Sequence, residues 1–237
     1  MRQCYRFSVL LSVLMIGVSA YGQTSSTIRT KFRMLSVNGD ISSLTLLGAR
    51  ETQEVLIPEL RRSEVYDYEG PPVLSFVRTA DIVEGEPLPA PVLKVRDLAK
   101  HKNALVLVFR AESAQGVRYK TVVMSDDPKG FPGGTSRFVN ISSYPLLVLF
   151  EQESGPKRLA VGAIYSHAFE SENQNVHIQI ASYADGEVHK ALDDRIFPKA
   201  IHRDLYFIFE ENEGDVGRVK MKRLREHRNA AIRSYGG

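Results

Sequence analysis

From Lys31 onward, apolar residues recur at every second position through one short run after another. A period of two matches pleated strands that bury one face and excludes long amphipathic helices from most of the chain. In residues 31–37 (KFRMLSV), Phe32 and Met34 share one side. Residues 43–46, 54–57, 63–68 and 73–78 continue the strand-like series, and residues 117–124 (VRYKTVVM) carry it further. One run, residues 104–109 (ALVLVF), is apolar without interruption, as a strand covered on both faces would be. Turn chemistry at Asn38-Gly39-Asp40, Gly70-Pro71 and Gln115-Gly116 separates the runs, and a proline-rich connection occupies residues 84–91. Strands at this spacing make an all-β protein, built as a sandwich or barrel.

The strongest break is residues 126–134 (DDPKGFPGG), where two prolines and three glycines cannot continue a central strand. After it the pattern restarts. Lys31-Phe32 with Leu35-Ser36 corresponds to Arg137-Phe138 with Ile141-Ser142 at an offset of 106 residues. Residues 44–46 correspond to 147–149, and Ser63 with Tyr66 to Ser166 with Phe169. Later, residues 104–109 correspond to 204–209 at an offset of 100, and Arg118-Tyr119-Lys120 then matches Arg218-Val219-Lys220 without a gap. Matches in unchanged order point to a tandem repeat. The division expected is a leader over 1–22, a sandwich unit over 28–125, a Pro/Gly linker over 126–135, a second unit over 136–226 and a flexible tail over 227–237.

Two motifs, Arg62-Ser63…Tyr66-x-Tyr68-x-Gly70 and Phe131-Pro132-x-Gly134…Arg137-Phe138-x-Asn140-x-Ser142, give the chain a resemblance to uncharacterised exported bacterial β-sandwich proteins with tandem immunoglobulin-like units. The resemblance implies fold and export, and brings no activity with it. The chain lacks Trp, and its single Cys4 cannot form the intersheet disulfide of immunoglobulin domains.

The first residues point to the same compartment. Arg2 and Arg6 precede a 14-residue apolar run, FSVLLSVLMIGVSA, that ends in small residues. A bilayer-spanning helix needs about 20 residues, so this order of positive, apolar and small is that of a cleaved secretory signal. Cys4 lies before the run, where a lipoprotein cysteine would not, and cleavage removes it. Loss of Arg2 and Arg6 leaves 29 basic against 28 acidic residues, which withdraws the global argument for nucleic-acid binding. The mature chain is expected to be periplasmic or extracellular, without a transmembrane segment.

Motifs for catalysis are missing. The six histidines form no H-x-H, H-E-x-x-H or H-x₃₋₅-H spacing. His177 alternates with Val176, Ile178 and Ile180 and is expected to face solvent. Asp126-Asp127 and Asp193-Asp194 are read as solvated turns, since an EF-hand ligand pattern is absent. Ser166 and His167 are neighbours, which on a strand point to opposite faces and cannot form a dyad. No cofactor, metal or catalytic residue is assigned.

Two features are candidates for binding. Tyr66 and Tyr68 share one face of a strand. Exposed, they would form an aromatic platform for a glycan or peptide; buried, they would be core, and the alternation does not say which. Arg218, Lys220 and Lys222 alternate with Val219 and Met221, and Arg223 and Arg225 follow. This basic strand suits an anionic envelope partner, or equally protects a sheet edge from unwanted pairing. Asn140-Ile141-Ser142 fits a glycosylation sequon. The expectation is a non-catalytic binding or scaffolding protein, its partner another envelope protein or a glycan. A hydrolase assembled from distant carboxylates, and a spacer hinged at the Pro/Gly break, are the alternatives.

Overall fold

A computed structural model describes residues 27–48, 51–113, 116–151, 153–169, 175–211 and 216–235; the expected leader lies outside them. The first unit contains β1 (Ile28–Ser36), β2 (Ile41–Leu47), β3 (Thr52–Ile57), β4 (Tyr66–Gly70), β5 (Leu74–Arg78), β6 (Leu93–Val95), β7 (Asn103–Ser113) and β8 (Gly116–Ser125). The second contains β9 (Thr135–Asn140), β10 (Leu146–Phe150), β11 (Lys157–Leu159), β12 (Ile164–Ala168), β13 (Val176–Ala184), β14 (Glu187–Ile196), β15 (His202–Glu210) and β16 (Val219–His227). A short helix, α1 (Arg228–Ser234), follows.

Each unit is a sandwich of two four-stranded sheets. The orders β4-β1-β7-β8 and β3-β2-β5-β6 recur as β12-β9-β15-β16 and β11-β10-β13-β14. Thus β9 takes the place of β1, β10 that of β2, and so on to the end. The repeat extends to an uncommon detail, a parallel pair within a mostly antiparallel sheet: β1 with β7, and β9 with β15. The fold is all-β and tandem, as the alternation implied.

The ladders correct one part of the internal alignment. Phe32 lies opposite Ala104, whereas Phe138 lies opposite Tyr206. If residues 104–109 are matched to 204–209, the counterpart of Phe138 is therefore Met34, two residues beyond Phe32. A slip of two keeps every side chain on its own face, so the alternation could not detect it. Phe32, Met34 and Phe138 all point into the core of their own unit.

The opposite faces of the two inner sheets point at each other. Leu35, Leu105, Leu107 and Met124 of the first unit share one apolar cluster with Val139, Leu205 and Phe207 of the second. This explains the unbroken run at 104–109. Ala104, Val106 and Val108 fill their own sandwich, while Leu105 and Leu107 fill the seam between sandwiches. The molecule is a four-layered stack.

Two expected boundaries change accordingly. The 126–135 break is a packed corner instead of a free linker: Asp126 and Phe131 are fully buried. A Cβ added at Gly133 would sit 2.3 Å from the Ala200 carbonyl oxygen, and Gly134 has φ +81°. The glycines thus allow the corner to press on the loop before β15. The expected flexible tail is also ordered through Tyr235. His227 still belongs to β16 and its side chain accepts from Asn229 N, α1 follows, and Ala231 and Tyr235 are buried. Its terminal position made that segment look like a tail, but its two buried side chains anchor it.

Candidate functional site

Seam-facing residues change character along the strands. On β1 they are Arg33 and Leu35, with Val37 just past its end; on β15 they are Arg203, Leu205, Phe207 and Phe209; on β16, read backwards, Glu226, Leu224 and Lys222. The seam therefore has an ionic end, an apolar middle and a third region where the sheets part.

At the ionic end, Asp126 and Glu226 are shared by three arginines from different elements. Arg33 Nη2 lies 2.6 Å from Asp126 Oδ2, and its Nη1 lies 3.1 Å from Glu226 Oε1. Arg203 Nη2 is 2.9 Å from Asp126 Oδ1, and its Nε donates to Glu226 Oε2 at 2.6 Å. Arg62 reaches both carboxylates at 3.6 and 3.4 Å. Arg62 is carried there because the chain after β3 turns back along β1, with Leu60 N donating to Ser36 O and Ser63 N to Met34 O. That return also explains why β4 begins at Tyr66 instead of Ser63. From the tail, Tyr235 donates to Asp126 Oδ2 at 2.8 Å, and Ser234 Oγ accepts from Arg33 at 3.1 Å. A fourth arginine, Arg137, donates to the Ser125 and Gly130 carbonyls and lies 4.2 Å above the Phe131 ring. Arg203 lies 5.0 Å from the same ring.

Burial raises the Asp126 carboxyl, but Arg62, Arg203 and Arg33 outweigh it and hold Asp126 below its ordinary value. Desolvation lowers Arg137 to about 10, against the attraction of Asp126. The reading of Asp126-Asp127 as a solvated turn is half right. Asp127 makes the turn, accepting from Lys129 N at 2.8 Å, while Asp126 is an internal anion. Every arginine of this cluster has carboxylate or carbonyl neighbours, and the groups seal that end.

The opposite end is open. A cleft of about 710 Å³ lies between the sandwiches, within the size range of small-molecule sites. Its floor is Val37, Phe109 and Val122 from the first unit with Ile141 and Phe209 from the second. Val37 is buried and the other four are half-buried, partly covered by the seam core beneath. Lys120, Lys222, Arg110, Glu59 and Glu210 stand at its rim. Lys220 Nζ and Lys222 Nζ lie 5.2 and 5.5 Å from the Phe209 ring centre. Glu210 accepts from Ser143 N at 2.6 Å and from Ser143 Oγ. Burial opposes its charge, but those bonds hold its carboxyl below the usual value. Asn38 pins one wall by bonding both ways with the Arg110 backbone, at 2.6 and 2.9 Å.

The expected site residues divide between these regions and the cores. Tyr66 and Tyr68 face inward, 1% and 4% exposed. Tyr66 packs 5.5 Å from Phe32 and donates to the Leu56 carbonyl, and Tyr68 donates to the Pro71 carbonyl at 2.8 Å. They are core, and the platform reading is withdrawn. The basic strand is split by its own pleat. Lys220 and Lys222 turn toward the cleft, whereas Arg225 meets Asp204 at 2.8 Å. Arg218 lies 3.8 Å from Glu211, and Arg223 lies opposite Tyr206 on the neighbouring strand. β16 is also an edge strand, so charge there protects the sheet edge as well. The sequon asparagine is unavailable: Asn140 is fully buried, and its amide donates to the Tyr144 and Leu159 carbonyls.

Val176, Ile178 and Ile180 face inward as expected, and half-buried His177 contacts Asp193 at 2.5 Å. Asp193 and Asp194 lie within β14, so the turn reading fails there. Ser166 is exposed while His167 turns inward to stack on Phe150 at 4.8 Å, with its Nδ1 3.0 Å from Glu153 Oε1. Sequence reasoning missed that pairing because Glu153 lies in a loop. Among the described residues, no group of three or more His, Cys, Asp or Glu side chains is placed to hold a metal, and no helix is long and apolar enough to cross a membrane.

A more extended groove of about 1110 Å³ lies on the tail side, bordered by Arg29, Lys31, Asp67, Glu69 and Ile232. Four of its charges pair with one another, Arg29 with Glu69 at 3.1 Å and Lys31 with Asp67 at 3.6 Å. The smaller cleft, with an apolar floor and a charged rim, is the better candidate. No family model and no curated protein matches the chain.

Proposed function

We propose that the protein is an exported, non-catalytic binding or scaffolding protein of the cell envelope or exterior, and that it holds its ligand in the cleft between its two sandwiches. One observation carries the reading: both units contribute to an apolar floor that the seam core leaves partly uncovered, ringed by charged side chains. Apolar floors with a few placed polar groups are the usual composition of binding sites. The sequence features of the leader support export.

The composition of the rim weighs against hydrolysis. A glycosidase needs a carboxylic acid with a raised pKa beside a second carboxylate. Of the two rim carboxylates, Glu210 is held in its charged form by Ser143, and Glu59 lies 4.0 Å from Lys222. A hinged spacer is disfavoured because the break is packed against the second unit. Val161→Trp tests the binding reading. Val161 lines the cleft and is 53% exposed, so the indole fills space without disturbing a core. Ligand-dependent protection from hydrogen exchange at 37–38, 141–143 and 209–210, lost in Val161→Trp, is the expected result. Protection confined to other surfaces would contradict it.

A further inference from the structure

The chemistry of the rim narrows the ligand class; this step rests on the cleft being the binding site. The floor side chains offer aromatic and branched aliphatic surface, which calls for an apolar body. Around it the balance of charge is positive: Arg110, Lys120 and Lys222 stand against Glu59 and Glu210. Both acids have partners at the rim. Glu210 is satisfied by two donors from Ser143. Glu59 stands at the limit of ion pairing with Lys222, at 4.0 Å.

The repeat adds an independent observation. Its R-x-K motif, Arg118-Tyr119-Lys120 on β8 and Arg218-Val219-Lys220 on β16, places a copy on the outer strand of each inner sheet. One copy brings Lys120 to the rim, and the other brings Lys220 over Phe209. Two units therefore direct charge of one sign at the same floor. A cationic ligand would meet like charge at the mouth.

We infer that the cleft binds an anionic amphiphile, its apolar body on the Phe109–Phe209 floor and its carboxylate or phosphate held by Lys120 and Lys222 at the rim.

Calorimetric titration of the purified protein tests this with three probes of equal chain length below their micelle concentrations: dodecanoate, dodecyl phosphate and dodecyltrimethylammonium. Both anions are expected to bind at one site, at least tenfold tighter than the cation. The double variant Lys120→Gln/Lys222→Gln, altered only at exposed side chains, should weaken the anions at least fivefold and abolish the preference. Phosphatidylglycerol vesicles distinguish the source. Co-sedimentation identifies a membrane headgroup, and binding of monomers alone identifies a free amphiphile. Equal affinity for the cation, no effect of the double variant, or no binding of either anion overturns the inference. If hydrogen exchange still maps some other ligand to the cleft, the binding reading survives. If anions bind but protect surfaces away from the cleft, and Val161→Trp changes nothing, both fall.

Discussion

The two ends of the seam are made by the same strands and do opposite things. At one end, β1, β15 and β16 present Arg33, Arg203 and Glu226, which close on Asp126 and are capped by Tyr235 from the tail. At the other, Val37 just past β1, Phe209 of β15 and Lys222 of β16 remain apart. The difference shows how a duplicated sandwich can become one body without losing a binding surface. Buried charge needs partners and so fixes register, whereas half-covered apolar side chains can wait for a ligand.

The largest expected effect attacks the sealed end. Asp126→Asn removes one anion from among three buried arginines and should cost about 3–5 kcal/mol in urea unfolding, the usual result of breaking a buried ion pair. The apolar middle comes next. Phe207→Ala, a fully buried side chain in the seam cluster, should cost about 3–5 kcal/mol if the site cannot collapse. A loss under about 1 kcal/mol for both would mean that the sandwiches stand alone. Tyr235→Phe deletes the hydroxyl that bonds Asp126, Arg33 and the Ala104 carbonyl and should cost about 1.5–3 kcal/mol, the range for hydrogen bonds to charged groups. The smallest effect belongs to the open end. Lys222→Gln should change stability by about 0.5 kcal/mol or less, as at other exposed sites.

Acid sharpens the contrast. The Asp126 carboxyl lies lower in the folded protein than its ordinary 3.8. Its contribution is therefore fully present above that value and lost as pH falls below it, through the folded pKa. Stability followed as pH is lowered from about 5 to about 2 should show this loss below pH 3.8 in the parent and not in Asp126→Asn. If the variant keeps the same acid dependence, another carboxyl governs it.

Much of the fold was legible because strand alternation is local. The uninterrupted run at 104–109 even foretold a strand covered twice. What lay hidden were quantities that alternation leaves undetermined. It could not tell which side of the Tyr66–Tyr68 strand was inside, because a strand shows both faces equally. It could not register the two-residue slip between repeats. Pro and Gly mark a break but do not say whether it swings free or packs. Signals for the ionic end were present: Arg33 interrupts an apolar run, and Arg203 with Asp204 precedes another. The partners of those arginines, however, lie up to 202 residues away, for Arg33 and Tyr235. The cleft was half visible, since Lys220 and Lys222 stood out as a basic stripe. Its floor required knowing that Phe109 and Phe209 approach from different units.

Scanning calorimetry of the purified protein at neutral pH bears most directly on the seam. If the two sandwiches are joined through it, they melt in one transition whose calorimetric and van't Hoff enthalpies agree, and Asp126→Asn lowers that transition as a whole. Two separate melting events, one of them unmoved by Asp126→Asn, would contradict it.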